Sequence, residues 1–153
     1  IFMKKIIVAT IVALILVPTV WAAGQETSPN YMIKADDLMK NMINNGLYLI
    51  PVLDVINATE NETEMAHWAI LDVRPEAGYA SGHIPGSMNI PFTNIISDMD
   101  AVPSDKKIAV VCTYDTNSAF AVAMLRVFGD RDAWIVQGGV PAWQEAGKEL
   151  VPD

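Results

Sequence analysis

Four short apolar runs constrain this chain more than any other feature. They are Ala69-Ile70-Leu71 before Asp72, Met88-Asn89-Ile90 before Pro91, Ile108-Ala109-Val110-Val111 before Cys112, and Ala133-Trp134-Ile135-Val136 before Gln137. Runs this short, each closed by a polar or turn-forming residue, read as strands buried on both faces. Between the last two lies Ser118 to Phe128, where Ala119, Val122, Ala123, Leu125 and Val127 suit a helix packed on a sheet. Strands alternating with helices imply an α/β fold with a mostly parallel sheet covered on both faces. Upstream, Asp36-Asp37 followed by Leu38, Met39, Met42 and Ile43 predicts a helix of about three turns with acidic residues in its first turn, stopped by Asn45-Gly46. The stretch Leu47 to Asp54 is apolar but holds Pro51, and Asn57 to Glu64 is polar and acidic, so the pair reads as an insertion with an exposed loop. Two glycosylation tripeptides, Asn57-Ala58-Thr59 and Asn61-Glu62-Thr63, fall in that loop; in a polar segment they arise readily by chance.

The N-terminus carries Met3-Lys4-Lys5, an apolar run from Ile6 to Val17, then Pro18 and the small-residue stretch ending Val20-Trp21-Ala22-Ala23. That is the three-part pattern of a secretory signal, with cleavage expected after Ala22. The apolar core is short against the roughly 20 residues that span a bilayer. The alternative is an uncleaved anchor over residues 6–23. The expected organisation is therefore a signal peptide over residues 1–22, a polar linker over 23–30, one domain over 31–150 and a tail over 151–153, with the mature protein in the periplasm or outside the cell. The 153 residues carry 10 basic and 18 acidic side chains, and loss of a leader holding Lys4 and Lys5 leaves the remainder more acidic still. Such a surface repels nucleic acid and anionic membranes, so neither is expected as a partner.

With one cysteine, the chain can form no internal disulfide, dithiol redox pair or cysteine metal cluster. His67 and His83 alone do not compose a zinc site, and no metal or cofactor is expected. Cys112 ends an apolar strand, and six polar or small residues follow it, Thr113-Tyr114-Asp115-Thr116-Asn117-Ser118, before the helix. The carboxyl end of a strand is where ligands bind in open parallel sheets. A loop curling there onto a helix N-terminus turns several N–H groups and the positive end of the helix dipole to one spot, which stabilises an anionic sulfur. On these residues alone Cys112 reads either as a reactive thiol or as a buried, inert one.

The order Leu71-Asp72-Val73-Arg74, then Ser81-Gly82-His83-Ile84-Pro85-Gly86-Ser87, then Cys112 closing a strand, then Gly138-Gly139-Val140-Pro141-Ala142-Trp143, resembles a rhodanese-like domain from about Tyr31 to Leu150. The resemblance implies a five-stranded mostly parallel sheet with helices on both faces, and a six-residue loop, Thr113 to Ser118, cradling a sulfur carried by Cys112 as a persulfide. It implies sulfur transfer from a donor such as polysulfide, persulfide or thiosulfate to a thiol or other nucleophile, a protein acceptor included. Asp72, Arg74 and His83 are expected to support the site by bracing loops, Gly138-Gly139 to take unusual backbone angles, and Trp143 to anchor packing. Active rhodaneses typically have glycine at the position of Asp115 and often arginine at that of Asn117. A carboxylate about 5 Å from the sulfur costs a second negative charge on the order of 1–3 kcal/mol, so weak use of thiosulfate is expected. Phosphatases of this fold clamp an oxyanion with an arginine where this chain has Ser118, which excludes that chemistry. The competing reading is a catalytically silent binding module.

Overall fold

The computed structural model describes residues 31–152, so the expected leader and linker, residues 1–30, lie outside the described residues. Its centre is a sheet of strands β1 (Leu49–Ile50), β2 (Trp68–Asp72), β3 (Met88–Asn89), β4 (Lys107–Val111) and β5 (Asp132–Val136). The five pair in the order β1-β5-β4-β2-β3, every pair parallel. β4 lies at the centre, where Ile108 to Val111 are wholly buried. That suits the residues of the chain that can be covered on both faces without stranding a polar side chain. Alternation sends Ile108, Val110 and Cys112 to one core and Ala109 and Val111 to the other.

Helices cover both faces, as the sequence predicts. On the first lie α1 (Tyr31–Asn44), which packs Leu38 and Met42, and α5 (Asp115–Gly129), which buries Ala121, Val122 and Leu125. On the second lie α2 (Val52–Thr59), burying Val55 and Ile56, and α6 (Gly139–Glu145), burying Val140 and Trp143. The short helices α3 (Glu62–Met65) and α4 (Glu76–Ala80) flank β2. Trp143 anchors packing as expected: it is buried, and its Nε1 donates to the Glu149 carbonyl at 3.1 Å.

Two expectations are corrected. α1 already includes Tyr31, so Asp36 and Asp37 lie in its middle, not its first turn; Asp36 instead pairs with Lys40 one turn on. Tyr31 stacks at a tilt on Phe128 with ring centroids 4.8 Å apart, which extends the packed face by a turn beyond the residues that the apolar spacing marks. The supposed insertion over residues 47–66 is part of the sheet layer. Leu49 and Ile50 form the edge strand against Ile135 and Val136, and Pro51 caps α2, where its missing N–H is no loss. The acidic run is the exposed side of α2 and α3. Asn61 caps α3, its Oδ1 accepting from the N–H groups of Thr63 (3.0 Å) and Glu64 (3.3 Å). That structural duty accounts for the asparagine of the second glycosylation tripeptide. At the far end of the domain Val151, assigned to the tail, exchanges two backbone hydrogen bonds of 2.9 Å with His83.

Candidate active site

Cys112 follows the last residue of β4 and is 3% exposed, its side chain on the face that α5 covers. The six-residue loop expected after it is shorter than that. Thr113 and Tyr114 make the connection, and Asp115, Thr116, Asn117 and Ser118 are the first turn of α5. An aspartate at the amino end of a helix is favoured by the dipole, and Tyr114 takes the extended angles of an N-cap (φ −127°, ψ 137°), so helix formation wins over loop here. Tyr114 offers the helix no side-chain cap. The first N–H groups of α5 therefore stand next to Cys112 without a side-chain acceptor from the N-cap, an arrangement suited to negative charge.

Each first-turn residue has a distinct place. Asn117 is exposed, and its Nδ2 lies 3.7 Å from the Cys112 Sγ, within reach of a weak hydrogen bond to sulfur. Thr113, Tyr114 and Thr116 are exposed. The Asp115 carboxylate, half-buried, accepts the Gly138 N–H at 3.0 Å through Oδ1 and 3.3 Å through Oδ2. It thus ties the start of α5 to the turn that follows β5. The Ser118 hydroxyl is fully buried and, among the described residues, is the one buried side-chain polar atom left without a hydrogen-bond partner. Such a group costs roughly 1–3 kcal/mol when nothing satisfies it.

The turn after β5 fixes Cys112 from the other side. Gly138 and Gly139 have φ of 74° and 55°, as their sequence predicts. Gly139 is required for a second reason: a Cβ there would sit 2.0 Å from the Cys112 carbonyl oxygen. The close approach lets the Val140 N–H donate to that oxygen at 3.0 Å. Sequence reasoning saw the permissive glycines but had no signal for what they approach, because the contact joins segments 27 residues apart.

Asp72, Arg74 and His83 brace the neighbouring loops. Arg74 Nε lies 3.0 Å from both Asp72 carboxylate oxygens and its Nη2 lies 2.7 Å from Oδ2, while a further bond of 2.8 Å reaches the Gly82 carbonyl. With Asp72 wholly buried and Arg74 nearly so, the pair and its backbone partners fasten the chain after β2 to the turn before His83. The His83 ring stacks on Tyr79 with centroids 3.9 Å apart, and its Nδ1 lies 3.2 Å from the Tyr79 carbonyl. Asn89 joins this cluster without a sequence signal: its Nδ2 donates to the Asp72 and Arg74 carbonyls at 2.8 and 2.9 Å.

The placement of cations matters for any anionic ligand. Lys106 and Lys107 stand at the start of β4, the opposite end of the strand from Cys112, and Arg126 and Arg131 belong to the far end of α5 and beyond. Lys34 pairs with Asp130 at that same far end, and Lys148 pairs with Glu60. At the carboxyl end of the sheet, Arg74 is already held by Asp72 and Gly82.

Residues 54–146 match the Rhodanese-like domain family. The chain is 35% identical over 82 residues to the thiosulfate sulfurtransferase GlpE of Pseudoalteromonas translucida, an overlap of 54% of this chain and 78% of that one. It is 30% identical over 91 residues to the protein of the same name from Shewanella oneidensis, covering 60% of this chain and 90% of that one. Among solved structures, a rhodanese-related protein from Thermoplasma volcanium superposes with a TM-score of 0.59 at 30% identity, over 68% of this chain and 97% of the other. With the five-stranded sheet, the cysteine at its central carboxyl edge and these likenesses in agreement, the chain belongs to the rhodanese-like domain family.

Proposed function

We propose that the domain is a sulfurtransferase in which Cys112 takes a sulfane sulfur from a donor such as polysulfide, persulfide or thiosulfate, holds it as a persulfide, and yields it to a thiol or other nucleophile. One observation carries this reading: the only cysteine of the chain closes the central strand directly against the amino end of α5, whose first turn lacks a side-chain cap. The Cys112 thiolate would attack the donor's outer sulfur, and the transferred sulfur would gain the N–H groups of that turn as hydrogen-bond donors. Asn117, 3.7 Å from Sγ, would add a side-chain N–H. Likeness to proteins named thiosulfate sulfurtransferase supports the reaction class. The substrate-binding residues are Thr113 to Ser118, with Asp72, Arg74 and His83 supporting them from the adjoining loops. The leader pattern supports a periplasmic or extracellular site of action.

A silent binding module is favoured by one observation, the carboxylate of Asp115 in the turn that would hold an anion. The two readings separate by intact mass after incubation of the purified protein with polysulfide. A gain of one sulfur atom, absent in Cys112→Ser, is expected. Wild-type protein that gains no sulfur would support the binding module, and transfer that survives Cys112→Ser would remove the cysteine from the mechanism. The exchange changes packing volume little but buries a hydroxyl, so the variant should fold with a loss of no more than about 1–3 kcal/mol.

A further inference from the structure

Two exposed aromatic rings outside the sulfur cradle meet beside it. Asn117 touches the Cys112 sulfur, and Phe120, one turn further along α5 on the same side, is 56% exposed. Residues three apart on a helix have neighbouring side chains, about 5–6 Å between Cβ atoms. Phe92, in the turn after β3, is 37% exposed and lies with its ring centroid 6.4 Å from that of Phe120. Its N–H donates to the Val73 carbonyl, and the Val73 N–H donates to the Val111 carbonyl, so Phe92 is held at the same carboxyl edge as the cysteine. From the sulfur outward, the surface therefore runs from an amide to two exposed aromatic rings. Among the described residues no cation is interposed: Arg74 is bound to Asp72 and Gly82, and Asp115 adds negative charge to the cradle. Exposed aromatic area costs solvation unless something covers it, and a small dianion covers none.

Resting on the persulfide reading of Cys112, we infer that the site prefers a sulfane-sulfur donor that bears an apolar organic group and at most one negative charge, the apolar group lying on Phe120 and Phe92. With an organic thiosulfonate, R–SO2–S⁻, the Cys112 thiolate attacks the outer sulfur. The new S–S bond to Cys112 forms as the donor's S–S bond breaks, and the sulfinate R–SO2⁻ leaves with the electron pair. Cys112–S–S⁻ remains, and neither an oxidant nor a reductant is needed. A thiol acceptor then takes the outer sulfur and regenerates the thiolate.

The test compares benzenethiosulfonate with methanethiosulfonate, two monoanions with the same reacting group, and with thiosulfate, using one thiol acceptor throughout. Expected for wild type is a kcat/KM about tenfold or more higher for the benzene than for the methane compound, with thiosulfate lowest. Phe120→Ser and Phe92→Ser should each lower the benzene-to-methane ratio by about three- to tenfold. Both side chains are exposed, so neither change removes core packing. A ratio near one in wild type, a ratio that neither variant moves, or thiosulfate as the best donor would overturn the inference while leaving sulfur transfer by Cys112 in place. Failure to load Cys112 from every donor would overturn both.

Discussion

Asp115 shows how a single side chain can serve the fold and burden the chemistry. Read from sequence, its carboxylate is a repulsive charge beside the sulfur. In the structure that carboxylate also receives the Gly138 N–H, so it holds α5 to the turn that fixes Cys112. The two roles respond differently to substitution. Asp115→Asn removes the charge and keeps an oxygen that can accept from Gly138, whereas Asp115→Gly removes both. We expect each variant to raise kcat/KM for thiosulfate by at least about fivefold, the lower end of a repulsion of roughly 1–3 kcal/mol. Asp115→Gly should in addition lose about 1–2 kcal/mol of stability in urea unfolding, and Asp115→Asn less than half of that. Unchanged thiosulfate kinetics in both variants would place the charge too far from the donor to matter. Ser118 is the opposite case, a buried hydroxyl with no satisfied bond and no duty to packing that would require oxygen.

At the scale of elements, the junction between β5 and α6 decides whether Cys112 stands where the fold needs it. Gly139→Ala would drive a methyl group into the Cys112 carbonyl and force a left-handed angle on alanine. A loss of at least about 2 kcal/mol in unfolding free energy is expected, with sulfur loading of Cys112 falling along with it; thermal unfolding and intact mass on the same sample would check both. Wild-type stability in this variant would mean that the turn can move away. The runs that form β2, β4 and β5 were legible as strands because they are largely buried and continuous, and the helix after Cys112 was legible from its apolar spacing. β1 was not, because a strand of two residues has no periodicity and its Pro51 reads as a breaker when it is in fact a helix start. The same limit hid the true start of α5. Asp115 to Ser118 are polar, and polarity marks a loop as readily as the first turn of a helix whose outer side faces water. Cys112, Asp72, Arg74 and the paired glycines were legible as types at positions. What joined them was not, since the Asp115–Gly138 and Gly139–Cys112 contacts join segments 23 and 27 residues apart.

The whole molecule combines an acidic surface, one thiol and a leader pattern. Removal of residues 1–22 would leave 8 basic against 18 acidic side chains and no second cysteine in this sequence to pair with Cys112, so in an oxidising compartment stability would rest on packing and hydrogen bonding rather than on a disulfide. We expect the exported protein to begin at Ala23, which N-terminal sequencing of the material outside the cytoplasm would establish. Recovery of membrane-bound protein that retains Met3 would instead identify residues 6–23 as an anchor. The site itself is a seam between layers: α5 on one face supplies the amino end beside the sulfur, and the α6 turn on the other holds the cysteine's carbonyl through the Val140 N–H. That one amide therefore acts as a gauge of the whole arrangement. Its hydrogen exchanges with deuterated solvent when the bond to the Cys112 carbonyl opens, so its protection reports how firmly the turn before α6 holds the backbone of the nucleophile.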